Sequence, residues 1–385
     1  MIDRSVLEQL NAPEKETRLA NLKALAKNAS FPERVPRYIN NHIHTTYSFS
    51  PYSPAAAVYA ACAEGLCTAG IIDHDTMAGA SEFLSAAEVL DMPVTVGMEC
   101  RVSFAGTPFA ARRLNNPDQK GIAYMTLQSV PHGRIDEMTV FFAPYRAHRN
   151  DRNRRMTERI NALLPDAVLD FEKDVLPLSM HHEGGAVTER HLLFALAKKL
   201  AERFGRGEGV MRALSAQGVV LSEKQQAKLS DTENAFYEYD LLGILKSACL
   251  SRGYIDAVAE CEPLADMVQK SREAGAWLCY AYLGDVTDSV TGDKKAQKFE
   301  DDYLEELFAC LKENGVTAVT YMPTRNTKEQ LARLRALCEH HDMFQVSGED
   351  INSPGQSFVI KAMDDPAFQN LIDATWKLIE HEKEA

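Results

Sequence analysis

Short apolar runs alternate with segments of helical periodicity along most of this chain. The apolar runs predict strands at residues 38–44, 67–72, 93–97, 138–142, 276–282, 316–321 and 344–347. Apolar residues at three- and four-residue spacing predict helices between them, at 54–64, 78–90, 264–274, 301–314 and 328–341. Such alternation is typical of an α/β protein with a mostly parallel sheet, either open or closed into a barrel.

Two segments depart from this alternation. Residues 1–37 are polar with helical periodicity, which predicts an N-terminal helical extension. Residues 149–262 carry almost only helical signal, which predicts a helical insert or lid in a loop after a strand. The remaining segments, 38–148 and 263–385, would then form the sheet. Loops of this kind lie at the carboxyl ends of the strands, where α/β proteins bind ligands.

Composition narrows the class of protein. Of the 385 residues, 45% are hydrophobic and 25% are charged, and the net charge is −13, which argues against a large nucleic-acid interface. The apolar runs are shorter than the ~18–20 residues that span a bilayer, and the first residues do not resemble a signal peptide. The eight cysteines form no Cys-x-x-Cys pair and are typical of reduced packing residues. We therefore expect a cytoplasmic protein without membrane contact, and its oligomeric state stays open.

Titratable side chains follow four of the predicted strands. His42 and His44 end the first strand and, two residues apart, point to the same side. His74 follows the second strand, Glu99 the third and Asp350 the last. Imidazole and carboxylate ligands that converge from several strands suit Zn, Mn or Fe.

The segments around these residues resemble a known family. The stretches HIHTTYSFSPYSP (42–54) and EGLCTAGIIDHDTMAG (64–79), with the later Glu99 and Asp350, are similar to the motifs of the PHP (polymerase and histidinol phosphatase) superfamily. Weaker similarity in the helical segment, in ERHLLFALAKKL and NAFYEYDLLG, resembles a branch that acts on nucleotides or short oligonucleotides. Over about residues 38–360 the resemblance implies a distorted (β/α)7 barrel of PHP type, with metals at the mouth and phosphoester hydrolysis as the reaction.

The chain also departs from the family pattern. The resemblance implies further metal ligands at positions that here hold Phe49, Thr139, Tyr282 and Asn352. The family residues that remain together, and that share one metal, correspond to His42, His44, Glu99 and Asp350. We therefore expect one divalent ion (Zn, Mn or Fe), while a second, weaker ion with help from Tyr282 or His132 stays open.

The remaining histidine of the second motif is a candidate for proton transfer. An unperturbed histidine pKa of about 6.5 suits general acid or base catalysis at neutral pH, which is the role that we predict for His74. The alternative is a vestigial ligand that is hydrogen-bonded to Asp73 or Asp75.

Four residues are candidates for substrate binding. Arg190 and His191 align roughly with an Arg-Pro-His segment that in the family faces the substrate phosphate, and a capping or surface role is the alternative. Arg101 lies two residues after Glu99, on the same side of the strand, and is a candidate phosphate contact. Tyr282, in place of a family ligand, is the fourth.

The favoured function is a metal-dependent phosphoesterase that hydrolyses a small phosphate ester or nucleotide with a metal-activated water. Its partner would be a small phosphorylated substrate. One alternative is a non-catalytic metal- or ligand-binding protein, which the missing ligands favour. Another is a hydrolase of a different bond class, because a mononuclear site of histidines and carboxylates also suits amide hydrolysis.

Overall fold

The computed structural model describes residues 2–286 and 297–384. The described residues form the strands β1 Val35–Ile43, β2 Leu66–His74, β3 Val94–Ser103, β4 Ile122–Gln128, β5 Glu262–Pro263, β6 Trp277–Tyr282, β7 Ala318–Tyr321 and β8 Phe344–Ser347. They form the helices α1 Arg4–Leu10, α2 Lys15–Ala26, α3 Pro54–Ala63, α4 Ala80–Leu90, α5 Ile135–Phe141, α6 Ala143–Leu163, α7 Glu189–Phe204, α8 Glu208–Ala216, α9 Glu223–Ser230, α10 Tyr237–Leu245, α11 Ser251–Gly253, α12 Leu264–Ala274, α13 Leu304–Glu313, α14 Lys328–His340 and α15 Gln369–Glu384.

The strands form a nearly closed barrel in the order β1-β2-β3-β4-β6-β7-β8, and β5 pairs with the end of β3. β4 runs antiparallel to both of its neighbours, while the other pairs are parallel. The first and last strands meet through a parallel bridge between Ile43 and Ile351. This architecture confirms the predicted distorted seven-stranded barrel and places the carboxyl ends of six strands at one mouth.

One predicted strand is wrong. Residues 138–142 lie in α5 and at its end, and Val140 is exposed there, because a short apolar run does not by itself distinguish a helix from a strand. The strand that follows β3 is instead β4, which the sequence analysis missed. The antiparallel direction of β4 carries the residues after it, including His132, to the opposite end of the barrel. The comparison of Thr139 with a family ligand is therefore wrong as well.

The N-terminal helices pack on α3 and α4 and bury Leu10 and Leu22 in the main hydrophobic core. Arg18 of α2 forms a buried ion pair with Glu82 of α4, with 2.6 Å between Nη2 and Oε2. The predicted limits of the extension and the insert stay predictions, but the first helices share the core of the barrel.

At the other end of the chain, α15 packs across the amino-terminal end of the barrel strands. Its Glu382 is buried and accepts a hydrogen bond from the backbone N–H of Val96 at 2.9 Å. Ser129, just after β4, donates to the carbonyl of Leu378 at 2.7 Å. This helix closes the end of the barrel opposite the histidines.

The helices between α6 and α11 pack around a second hydrophobic cluster. Its buried members come from residues 156–249, apart from Phe49, which lies in the loop after β1. Phe49 thus joins the helical segment to the mouth of the barrel. None of the described helices is both long and apolar enough to cross a bilayer.

Candidate metal centre

The barrel brings the five predicted strand-end residues to one point. His42 and His44 leave the end of β1, and His74 and Glu99 are paired neighbours across β2 and β3. Asp350 follows β8, which the bridge to Ile43 holds against β1. The parallel direction of these strands is the reason why side chains distant in sequence meet here.

Glu99 lies at the centre of the group. Its Oε2 is 3.9 Å from His42 Nε2, 3.8 Å from His44 Nε2 and 3.2 Å from His74 Nδ1. His44 Nε2 also lies 3.2 Å from Asp350 Oδ1. For comparison, ligands arranged tetrahedrally at zinc-like bond lengths are about 3.3–3.6 Å apart.

The imidazole nitrogens that face Glu99 and Asp350 lack hydrogen-bond partners among the described residues. His42 Nε2, His44 Nε2 and His74 Nδ1 are buried and form no hydrogen bond of normal geometry within the described residues. A buried polar atom without a partner is costly, so it calls for a ligand that the polypeptide does not supply. Three imidazole nitrogens and two carboxylates are the donor set that Zn, Mn or Fe prefers, and the residues therefore fit a divalent ion.

A chain of hydrogen bonds orients His44. Ser48 Oγ donates to Asp73 Oδ1 at 2.6 Å, and the backbone N–H of Thr45 donates to the same carboxylate oxygen at 2.7 Å. Because the only hydroxyl hydrogen of Ser48 points to Asp73, His44 Nδ1, 3.2 Å from Ser48 Oγ, must donate its hydrogen there. The lone pair of His44 then lies on Nε2 and faces Glu99 and Asp350.

This tautomer of His44 limits the number of metal ions that the centre can bind. Among the described residues, two groups of side chains have the spacing of a metal site, namely His42, His44 and Asp350, and His44, His74 and Glu99. Both include His44, which offers a single lone pair. We therefore interpret the two groups as parts of one site.

Burial controls protonation in this group. Burial, with the adjacent charge of His44, lowers the pKa of His42 to about 4. Burial, His44 and Arg149 hold the pKa of His74 well below its usual range. Both histidines are therefore neutral at pH 7, which is the form that binds metals.

The pKa values of the two carboxyl groups, Glu99 and Asp350, shift in opposite directions. Burial raises the pKa of Glu99 to about 7, although the charge of His44 opposes this shift. Burial also disfavours the charged form of Asp350, but its close contact with His44 outweighs burial and keeps the pKa of Asp350 well below its ordinary value. The same contact, working against burial, raises the pKa of His44.

Two neighbours fix the positions of His42 and Asp350. A Cβ on Gly348 would lie 2.5 Å from the Cβ of His42, so only glycine allows this close approach. Asn352 Nδ2 donates to Asp350 Oδ1 at 2.6 Å. Asn352 thus contacts the carboxylate that faces the centre.

Four members of the group, His42, His74, Glu99 and Asp350, line a cavity of about 210 Å³. The lining also includes apolar and aromatic side chains, namely Tyr124, Leu193, Tyr282 and Tyr321. Tyr282, predicted as a substrate residue, thus reaches the cavity, and its hydroxyl donates to Asp301 Oδ1 at 2.7 Å. The cavity also has a basic lining, formed by Arg101, Arg149, Arg190 and Lys246.

Arg101 and Arg149 are already neutralised. Arg101 contacts Glu189 at 2.6 Å and Glu260 at 2.7 Å, and Arg149 bridges Asp75 and Glu189. Arg101 therefore lies at the cavity, as the prediction of a phosphate contact requires, but both ends of its guanidinium are used by carboxylates.

Arg190 and His191 have different surroundings. Arg190 lines the cavity, donates to Ser353 Oγ at 2.7 Å and lies over the ring of Phe49, and its Nε has no hydrogen-bond partner among the described residues. His191 does not line the cavity. Its Nδ1 accepts the backbone N–H of Thr188 at 2.9 Å in a capping box at the start of α7, as in the capping alternative.

Sequence reasoning missed several residues of this cavity, among them Glu189 and Lys246. Glu189 could not be recognised from the sequence because its three arginine partners, Arg101, Arg149 and Arg152, come from distant parts of the chain. Lys246 could not be recognised because a single lysine at the end of an apolar helix resembles any solvated lysine. The RxxRxxR spacing of arginines on α6 was a usable signal, since it places Arg149 and Arg152 on one helical face.

Comparison with known proteins gives one family and several similar structures. The family model described as the PHP domain matches residues 40–317. A candidate metal-dependent phosphoesterase from Bifidobacterium adolescentis has a TM-score of 0.54 and 21% identity, over 89% of this chain and 98% of that chain. An amidohydrolase from Chromobacterium violaceum, with bound sulfate and no metal, has a TM-score of 0.55 and 15% identity, over 88% of this chain and 96% of that one. At these identities the likeness shows a shared fold.

Curated relatives match a smaller part of the chain. Error-prone DNA polymerases of Mycobacterium bovis and Mycobacterium tuberculosis are 33% identical to it over 98 residues. That segment is 25% of this chain and 8% of each polymerase. The similarity is thus confined to a small part of those much longer proteins.

Proposed function

The chain belongs to the PHP domain family, and on that premise we propose that it is a metal-dependent hydrolase that cleaves a small phosphate ester or nucleotide with one divalent ion. The observation that carries this proposal is the convergence of three unpartnered imidazole nitrogens and two carboxylates beside a cavity with a basic lining. Names of the similar structures, one a candidate phosphoesterase and one an amidohydrolase, agree with hydrolysis as the type of reaction.

The proposed ligands are His42, His44, Glu99 and Asp350. A divalent ion held there supplies two things when bound, a lower pKa for a coordinated water molecule and polarisation of a phosphoryl oxygen. The chain itself contributes orientation, because Ser48 and Asp73 fix the tautomer of His44 and Asn352 holds Asp350.

Substrate binding is assigned to the cavity walls. Arg190 has no carboxylate partner within 4.0 Å among the described residues and presents its guanidinium to the cavity, so it is suited to an anionic oxygen of a phosphate. The aromatic side chains of the lining, which include Tyr124 and Tyr282, suit an apolar or ring-shaped leaving group. Hydrolysis then joins the oxygen of a water molecule to phosphorus and releases the alcohol.

His74 remains the proposed proton-transfer residue. Because its low pKa keeps His74 neutral at pH 7, it does not supply a proton there, and the role left to it is that of a weak proton acceptor. Its position 3.2 Å from Glu99 also suits a further metal ligand. His74→Ala separates these roles, since a proton acceptor is lost with the ion retained, whereas a ligand is lost together with the ion.

A panel of substrates tests the proposal. Protein loaded with Mn²⁺ or Zn²⁺ is assayed on phosphate monoesters, phosphate diesters and amides, beside Glu99→Gln and the exposed control Glu88→Gln. We expect turnover of phosphate esters that Glu99→Gln abolishes and Glu88→Gln retains. Turnover of amides alone would assign a different bond class.

The second candidate function is a metal-binding protein without catalysis. The observation that favours it is that Phe49, Tyr282 and Asn352, at positions where the resemblance implies ligands, each have a packing or hydrogen-bonding role here. A protein that carries its ion and hydrolyses nothing in the panel would establish this function and refute the first.

A further inference from the structure

Within the described parts of the chain, the cavity presents four cationic side chains, of which two are available to a ligand. Arg101 is held by Glu189 and Glu260, and Arg149 by Asp75 and Glu189. These partners are buried, and separating a buried ion pair to bind another anion leaves a carboxylate without its partner, which is costly. The barrel side of the cavity therefore offers no free positive charge through these two arginines.

The helical segment provides the other two cations. Arg190 is the second residue of α7, and Lys246 follows the last residue of α10. Among the described residues, neither forms an ion pair within 4.0 Å, and both line the cavity that contains His42 and Asp350. Lys246 is also accessible to solvent, so a ligand can reach its ammonium group.

The remaining acidic groups do not cancel these charges. Glu99 and Asp350 belong to the proposed metal site, whose ion would neutralise them. Asp118 also lines the cavity and its charge acts on Lys246, but no contact within 4.0 Å joins the two. With the ion bound, the free charge facing a ligand is positive and comes from the helical segment.

From this charge balance we propose that Lys246 is a substrate-binding residue that, with Arg190, selects phosphate monoesters over diesters. This inference rests on the proposed phosphoesterase function and deepens it. A phosphate monoester carries about −1.5 to −2 charges at pH 7, whereas a diester carries one. Two free cations beside the metal group favour the more highly charged ester, and an ammonium with three donors suits its additional oxygen charge.

Binding of inorganic phosphate tests Lys246 without any need for turnover. The full-length, metal-loaded protein is titrated with phosphate by calorimetry as wild type, Lys246→Gln and Lys246→Arg. Loss of one charge-assisted contact should weaken binding about 10-fold or more, and the arginine variant should recover most of it. Lys198→Gln, which removes an exposed lysine from α7 outside the cavity, should bind phosphate as the wild type does.

Kinetics give a second, independent result. In Lys246→Gln we expect a higher KM for a phosphate monoester, little change for a diester, and an unchanged ion content. Phosphate binding or a monoester preference that is equal in wild type and Lys246→Gln would overturn the inference, as would a wild type that does not bind phosphate. Failure of the proposed function looks different, since hydrolysis is then absent while phosphate binding still depends on Lys246.

Discussion

The guanidinium carbon of Arg190 lies 5.0 Å from the centre of the Phe49 ring. The ring of Phe49 packs against His191, Phe194 and Tyr239 of the helical segment. At this position, where the sequence resemblance implies a metal ligand, the side chain forms an aromatic platform under a cation. The platform links the direction of Arg190 to the packing of the loop after β1.

Replacement of Phe49 should therefore weaken anion binding. Phe49→Leu keeps an apolar side chain in the cluster but removes the cation–π contact, which contributes about 0.5–2 kcal/mol. We expect phosphate to bind roughly 2- to 30-fold more weakly, as measured by calorimetry. Phe194→Leu alters the same cluster but keeps the ring of Phe49 under Arg190, and it is the matched control. Equal weakening in both variants would show that cluster packing, and not the platform, sets the affinity.

Removal of a proposed ligand should remove the ion. His42→Ala deletes one unpartnered imidazole nitrogen of the centre, so elemental analysis of the purified variant should show the ion content fall from about one per chain to near zero. His182→Ala removes an exposed histidine and should leave the content unchanged. A wild-type content of two or three would contradict the single site inferred from the tautomer of His44.

Much of this site could be predicted from the sequence, because its ligands follow strands whose parallel pairing brings their carboxyl ends together. His42, His44, Glu99 and Asp350 are all local signals of this kind. The direction of β4 could not be predicted, since its short apolar run carries no mark of orientation. The neutralisation of Arg101 could not be predicted either, because it depends on Glu189, 88 residues away in the chain.

Ser48 should control metal affinity without touching the ion. Its hydroxyl links Asp73 to His44 Nδ1 and so places the lone pair of His44 on Nε2. Loss of such a supporting hydrogen bond typically costs 10- to 100-fold in affinity, and we expect a loss of that size for Zn²⁺ in Ser48→Ala, measured by competition with a chelating dye. Ser50→Ala is the control, because Ser50 lies in the same loop and its hydroxyl accepts a hydrogen bond from the backbone N–H of Tyr52. Unchanged affinity in Ser48→Ala would refute the assigned tautomer.

Metal binding should strengthen as the pH rises through 7. Binding requires an ionised Glu99, and burial raises its pKa to about 7, so protons compete with the ion below that pH. At pH 6 roughly 90% of Glu99 is protonated in the metal-free protein, and His44, whose pKa is also raised, adds to the competition. Calorimetry in two buffers of different ionisation enthalpy should show proton release on binding at pH 6 and much less at pH 8. An affinity that does not change over this range would contradict the buried carboxyl.

Replacement of Gly348, even by alanine, should lower both the stability of the protein and its affinity for the metal ion. Its backbone lies so close to β1 that an added Cβ would be 2.5 Å from His42 Cβ and 2.9 Å from the His42 backbone nitrogen. One of the two segments must therefore move, at a cost of about 1–3 kcal/mol for an overpacked site, and His42 is displaced from the other ligands. We expect Gly348→Ala to fold with a lowered Tm and to bind Zn²⁺ at least about 10-fold more weakly. Gly133→Ala, where an added Cβ meets nothing within 4 Å, is the control. If Gly348→Ala loses stability but keeps its affinity, the movement is taken up by the loop after β8, and His42 is held by β1 alone.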